Sequence, residues 1–466
     1  MTCSPLSALR AAARATALMG AIALPSLPSW AADLPAGMAP AVKTGTAAAT
    51  SPITAIDAAT VIAAPPPASS ATGTAWSPSW IAPPQALWSG DFALPTLVPF
   101  QFRDQTVRQS LRLSVGGERL RVEFSNEYGS TPLRIDAATV ARPAAAAGAG
   151  AGITADSLRP LRFGGATSVA VPPGARVVSD PVDLPVRALE RLSISLYLPG
   201  PVAPSTFHWE GRDTAYVAAG RHVADTVWPD GGETMSPRVF LAGVRVERHA
   251  PPATVVAIGD SITDGNGSTP GTDRRWPDRL AERLAPRGVA VLNAGISGGR
   301  LLSDGMGPSA LARLQRDVLG QPGIRAVIVL LGTNDIGYPR GPFSPDETPM
   351  TAERLIAGLR LLIEQSHAAN VRVIGGTIPP NEQSLAGTPF EGHHSAAKDR
   401  VRQDVNRWIR TSGAFDGVVD VDALLRDPKR PSRLAPAWDS GDHLHPGDAG
   451  YAAMADAIDL ARLLGE

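Results

Sequence analysis

The segment Val255-Val256-Ala257-Ile258-Gly259-Asp260-Ser261-Ile262 joins a short apolar run to a glycine, a carboxylate and a serine. Four apolar residues bounded by a turn signal read as a buried strand, and the serine then sits on the turn that leaves it. Near the other end of the chain stands Asp442-His443-Leu444-His445. A serine hydroxyl is a weak nucleophile until a base takes its proton, and a histidine oriented by a nearby carboxylate is such a base. The two segments together supply every part of a Ser-His-Asp arrangement.

Working outward from residue 255, further short apolar runs occur at 289–292, 327–331 and 371–374. Between or after them, Trp276, Leu280 and Leu284, then Leu355, Leu359 and Leu362, recur at helical spacing. Alternating strands and helices predict a parallel sheet covered on both faces, with the ligand site beyond the carboxyl ends of the strands. Ser261 and the asparagine of Gly332-Thr333-Asn334-Asp335 each follow a strand directly, so they should meet at that edge.

Upstream the pattern differs. Leu111, Leu113 and Val115 alternate with polar residues, Gly116-Gly117 follows, and Leu120, Val122 and Phe124 alternate again, which reads as a hairpin. Leu192, Ile194, Leu196 and Leu198, then Val244 and Val246, repeat the alternation. Residues 76–250 are therefore expected to form a β-sandwich or jelly roll, and 251–466 the α/β domain. Residues 32–75 are rich in Ala, Pro, Thr and Ser and read as a tether. Residues 1–31 read as an export signal: Arg10 and Arg14 precede an apolar stretch at 15–24 too short to span a bilayer, and Ser29 and Ala31 suit cleavage after Ala31. Cys3, the single cysteine, would leave with it, and the expected location is secreted or periplasmic. A net charge of −1 over 466 residues offers no electrostatic case for nucleic acid or an anionic membrane surface. The 46 glycines and 44 prolines argue against an all-helical chain. After signal removal no stable membrane insertion is expected.

Ser261 is the candidate nucleophile, His445 the base and Asp442 its orienting partner. His443 and Asp439 are local rivals, Asp335 is expected to support the Asn334 loop, and Asp448 to cap a helix over 449–464. A competing reading comes from Gly295-Ile296-Ser297-Gly298-Gly299, which spells the nucleophile elbow G-x-S-x-G with Ser297 as nucleophile. Gly298-Gly299 is a poor helix start, however, and this reading leaves the blocks at 259–262 and 332–335 unused. Another alternative is a metal-dependent phosphoesterase gathering Asp260, Asp264, Asn334, Asp335, Asp442, His443 and His445, although the histidine pattern is thin for metal ligation. A third is a non-catalytic carbohydrate-binding or adhesion protein, which would be expected to have lost a member of the triad. No cofactor and no metal is called for by the triad reading.

The order and spacing of the blocks at 259–262, 293–299, 332–335 and 442–445 resemble the SGNH (GDSL-type) hydrolases, from about residue 255 to the C-terminal helix. The resemblance implies a flavodoxin-like three-layer fold and an oxyanion hole from the N–H of Ser261, the N–H of Gly298 and the amide of Asn334, with Gly299 one residue off as the rival donor. The fuller text Gly-Asp-Ser-Ile-Thr-Asp-Gly, with Arg275-Trp276-Pro277-Asp278 and Ser440-Gly441-Asp442-His443-Leu444-His445-Pro446, is similar to a branch of arylesterases and acylhydrolases encoded beside xylanases. That branch implies a short-chain acetyl or aryl esterase, with a small-molecule or plant-polysaccharide ester as partner and a lipase or lysophospholipase range as the alternative. Segments 338–350 and 379–398, expected to rim the site, are polar apart from Tyr338, Phe343, Met350, Leu385 and Phe390. That composition predicts a short acyl group and a hydrated alcohol.

Overall fold

A computed structural model describes residues 73–90, 92–144 and 150–466. The expected export signal and the tether up to residue 72 lie outside the described residues. The described residues belong to one compact unit.

Its α/β part is a five-stranded, wholly parallel sheet. In spatial order the strands are Ala290–Gly295, Thr254–Gly259, Ile324–Leu330, Arg372–Gly376 and Gly417–Val419, so the chain starts in the second position and crosses over once. Successive strand residues point to opposite faces. Val256 and Ile258 accordingly join the core under helices Ala352–Ala368 and Ala396–Thr411. Val255 and Ala257 join the opposite core under Trp276–Leu284 and Asp448–Asp456. This period-2 division of one apolar run is what makes the sheet the middle of three layers.

The β-rich part contains a four-stranded and a six-stranded antiparallel sheet, with smaller sheets beside them. The expected hairpin is not formed. Gln105–Arg112 pairs with Arg191–Leu198 and Ala215–Ala219 in the larger sheet, whereas Leu120–Ser125 pairs with Leu241–Arg248 and Arg176–Val178 in the smaller. Between them the chain changes sheets: Ser114 N–H donates to Ser79 O at 2.9 Å and Gly117 N–H to Val186 O at 2.9 Å. Both strands still bury their alternate residues in one shared core. Alternation reports which face is buried, and two facing sheets satisfy it as well as a hairpin does.

The two parts meet through ion pairs and backbone contacts. Arg112 pairs with Glu282 at 3.0 Å, Arg316 with Glu127 at 2.6 Å, and Arg248 Nη1 donates to Gly288 O at 2.7 Å. Among the described residues no helix is long and apolar enough to cross a membrane.

At the carboxyl edge of the sheet, Arg313 is buried and donates to Ala294 O at 2.6 Å and to Gly259 O at 3.0 Å while pairing with Asp317 at 3.1 Å. It ties together the ends of the two strands that precede Ser261 and Ile296. Arg313→Leu should lower unfolding free energy by about 3 kcal/mol, since it strips a buried carboxylate and two carbonyls of one partner. Urea denaturation measures this, and an unchanged midpoint would show that the tie is dispensable.

Candidate active site

Ser261 opens a one-turn helix, Ser261–Asp264, at the end of the central strand. Asp260 supplies the cap: its Oδ1 accepts the N–H of Ile262 at 2.9 Å. Ser261 is thereby released from the capping role and its hydroxyl meets His445 Nε2 at 2.8 Å. His445 Nδ1 lies 2.6 Å from Asp442 Oδ2, and Asp442 Oδ1 accepts the N–H groups of Leu444 and His445 at 2.9 and 2.8 Å. Burial works to raise the Asp442 pKa, but His445 and these two N–H groups hold it well below the usual carboxylate range. Asp442 is therefore an anion, and the ring N–H of His445 points to it. The loop comes this close because Gly267, with φ +88°, has no Cβ, which would fall 3.0 Å from His445 Cβ and 2.6 Å from Pro446 O.

The N–H groups facing the serine differ in availability. Gly299 N–H is spent on Ile296 O at 2.8 Å. Gly298 and Ser261 have no hydrogen-bond acceptor for their N–H groups among the described residues. Gly298 takes φ +71°, and an added Cβ would meet Met306 Sδ at 2.1 Å. Asn334, buried, donates through Nδ2 to Gly299 O at 3.1 Å, which leaves its second amide hydrogen unused.

His393 was not singled out by the sequence. Its Nδ1 faces the amide of Asn381 at 3.1 Å, so the proton sits on Nε2, which lies 3.2 Å from Asn334 Oδ1. The Asn381–His393–Asn334 chain thus fixes which end of the Asn334 amide faces the serine. Burial first, and the charge of Lys398 second, pull the His393 pKa down to about 3, so the ring stays neutral. No spacing signal marks His393; only the fold brings it 59 residues back to Asn334.

The rival residues have other partners. Ser297 Oγ donates to Asp264 Oδ2 at 2.8 Å and lies 2.9 Å from Asn266 Oδ1, and among the described residues it has no hydrogen bond to an imidazole. His443 pairs with Asp439. Asp335 accepts the N–H groups of Leu301 and Leu302 at 2.8 and 3.1 Å and so supports the glycine loop rather than a ligand; burial nonetheless raises its pKa. Among the described residues no group of three or more His, Cys, Asp or Glu is placed to hold a metal ion. Asp448 does not cap its helix. Gly447 does, and Asp448 accepts from the N–H and hydroxyl of Thr269 at 2.8 and 2.7 Å, a tertiary pairing that outcompetes the local one. The helix expected over 449–464 is two, Asp448–Asp456 and Leu460–Leu464.

Ser261, Gly298, Asn334 and His445 open on a cavity of about 170 Å³ whose other walls include Leu94, Trp209, Tyr338, Phe343, Leu385, Phe390 and Leu444. The expected polar rim is therefore corrected. The few large apolar residues of 338–350 and 379–398 turn inward, and the β-rich part adds two more. Sparse apolar residues in a polar loop converge because burying them is what folds the loop down.

Residues 257–453 match the GDSL-like Lipase/Acylhydrolase family. A search of curated proteins returned no match. Among solved structures, the chain is similar to an acetylxylan esterase from Geobacillus stearothermophilus, at 25% identity over 47% of this chain and 96% of that one, TM-score 0.33. It is also similar to a GDSL-like lipase from Bacteroides thetaiotaomicron VPI-5482, at 21% identity over 46% and 91%, TM-score 0.34.

Asp260 gives this site a pH signature in stability. Its Oδ2 is buried without a partner, and burial pushes its pKa up to about 7. An unfolded Asp titrates near ~4, so folding takes up a proton. The stability this carboxyl carries is full below about pH 4 and is lost as pH rises through about 7. Asp260→Asn keeps the neutral form at every pH. Its melting temperature relative to the unsubstituted protein should climb from about pH 5 to about pH 8, and a pH-independent difference would contradict the assignment.

Proposed function

We propose, from residues 257–453 being a GDSL-like lipase/acylhydrolase domain, that this chain is a serine esterase acting through Ser261, His445 and Asp442. The observation that carries it is the unbroken hydrogen-bond chain from Asp442 through His445 to the Ser261 hydroxyl. Ser261 Oγ attacks the ester carbonyl carbon while its proton passes to His445 Nε2. The carbonyl π electrons move to oxygen, and the N–H groups of Ser261 and Gly298 with Asn334 Nδ2 hydrogen-bond that oxyanion. Collapse breaks the carbon–alkoxide bond, His445 returns the proton to the leaving oxygen, and an acyl-serine remains. Water attacks it, His445 takes and returns a proton again, and the carboxylic acid leaves with Ser261 restored.

Short-chain and aryl esters are the substrates this reading favours. The polar rim was the residue-level argument for a hydrated alcohol such as a sugar, and the apolar lining of the cavity removes that support, so plant polysaccharide rests on the resemblance alone. A fatty chain is not favoured either, because a cavity of about 170 Å³ is small for one. Export of the chain and its division at residues 31, 75 and 250 belong to the same proposal, supported by the leader-like composition and the change of apolar period.

Ser261→Ala should lower kcat on p-nitrophenyl acetate by roughly 10⁴-fold or more. Asn334→Ala should lower kcat by roughly 10²–10³ with little change in KM, as expected for one oxyanion donor. Steady-state kinetics decides both. Retained activity in Ser261→Ala, or an effect of Asn334→Ala confined to KM, would overturn the assignment.

A further inference from the structure

We propose that the β-rich part is a wall of the substrate site, and that the slot it completes takes an aryl ring of the ester; this rests on the esterase reading. Two residues from that part, Leu94 and Trp209, line the cavity at Ser261. The same cavity is lined by Phe343 and Phe390, which stack with centroids 4.9 Å apart and planes 9° from parallel, and by Tyr338, which packs 4.6 Å from Phe343. Trp209, Phe343 and Phe390 are only half-buried, so each has ring surface left to cover.

Trp209 is held in place rather than merely near. Its N–H donates to Gln85 Oε1 at 2.9 Å and its indole to Pro95 O at 3.1 Å, and its ring lies 5.3 Å from Trp88. Gln85 and Trp88 both donate to Met306 O, at 2.6 and 2.9 Å. Met306 is the residue whose sulfur fills the space beside Gly298. The β-rich part therefore grips the loop that positions one oxyanion donor and, through the same strand segment, sets the distance of the Trp209 wall from it.

The chemistry of the walls selects the occupant. Among the described residues no Lys, Arg, Asp or Glu lines this cavity, and its polar groups belong to the reaction machinery or its supports. A charged or polyhydroxyl group would lose water there without replacement, whereas a flat apolar ring gains burial and aromatic contacts. The volume of about 170 Å³ is close to the ~150 Å³ of an engineered apolar cavity that binds benzene.

Phenyl acetate and methyl benzoate place a ring on either side of the ester, and methyl acetate has none. Trp209→Ala should lower the kcat/KM of at least one aryl ester relative to methyl acetate about tenfold, with Trp209→Phe recovering most of the ratio. Leu385→Trp fills the slot from the other wall, leaves the Trp209 packing alone, and should lower the same ratio if Trp209→Ala fails to fold. Affinity of Ser261→Ala protein for phenyl acetate, read by NMR titration, should fall about tenfold when Trp209→Ala is added. Unchanged ratios and affinity in folded variants overturn the slot even if the enzyme hydrolyses esters. Loss of affinity in a protein that hydrolyses no ester would instead uphold the slot and overturn the esterase reading.

Discussion

The carboxylate of Asp264 is the point at which three parts of this molecule are joined. Its Oδ2 accepts the N–H and the hydroxyl of Ser297, at 2.9 and 2.8 Å, and so holds the loop that carries Gly298. Its own backbone closes the turn of helix begun by Ser261, with Asp264 N–H donating to Asp260 O at 2.9 Å. Its Oδ1 lies 3.0 Å from Nε2 of His208, a residue of the β-rich part. The other ring nitrogen of His208 faces Pro83 O at 3.1 Å. Leaving a buried acceptor without one of its partners costs about 1–3 kcal/mol, because it has no water to turn to. The Ser261 turn, the Gly298 loop and the β-rich part are consequently constrained to one another through a single side chain.

That constraint explains why a sheet edge alone does not complete the site. The parallel sheet delivers Ser261 and Asn334 to the same end, and the 442–445 loop delivers base and carboxylate on one turn. The substrate-facing walls come from elsewhere: Phe343 and Phe390 from loops after the third and fourth strands, Leu94 and Trp209 from the β-rich part. The reacting atoms are set by short hydrogen bonds, and the shape of the slot by aromatic packing between parts distant in sequence.

The candidate site was most legible where its residues stand in short local blocks. Ser261, Asp442, His445 and Asn334 could be named because each stands in a short block whose residue types have one joint use, and the sheet followed from apolar runs such as 255–258. The ambiguity between Gly298 and Gly299 turned on a hydrogen bond, Gly299 N–H to Ile296 O, that no spacing reveals. The crossing between sheets at residues 112–120 was hidden because alternation at 111–124 records burial and not pairing partners. His208, Trp209 and His393 were invisible for a third reason: each acts on a residue at least 50 positions away, and nothing in its neighbours announces the meeting. The polar composition of 379–398 misled in the opposite direction, since its two large apolar residues, Leu385 and Phe390, both turn into the cavity.

On the proposed esterase reading, Ser261 Oγ is the attacking atom and three donors wait for the charge its attack creates. A crystal structure of the protein inactivated by a dialkyl aryl phosphate tests this most directly, because the adduct mimics the tetrahedral intermediate. Phosphorus should be bonded to Ser261 Oγ, with its phosphoryl oxygen about 3 Å from Ser261 N, Gly298 N and Asn334 Nδ2 and its alkyl group against Trp209 and Phe343. Phosphorus on Ser297, or a phosphoryl oxygen turned away from those three donors, would contradict it.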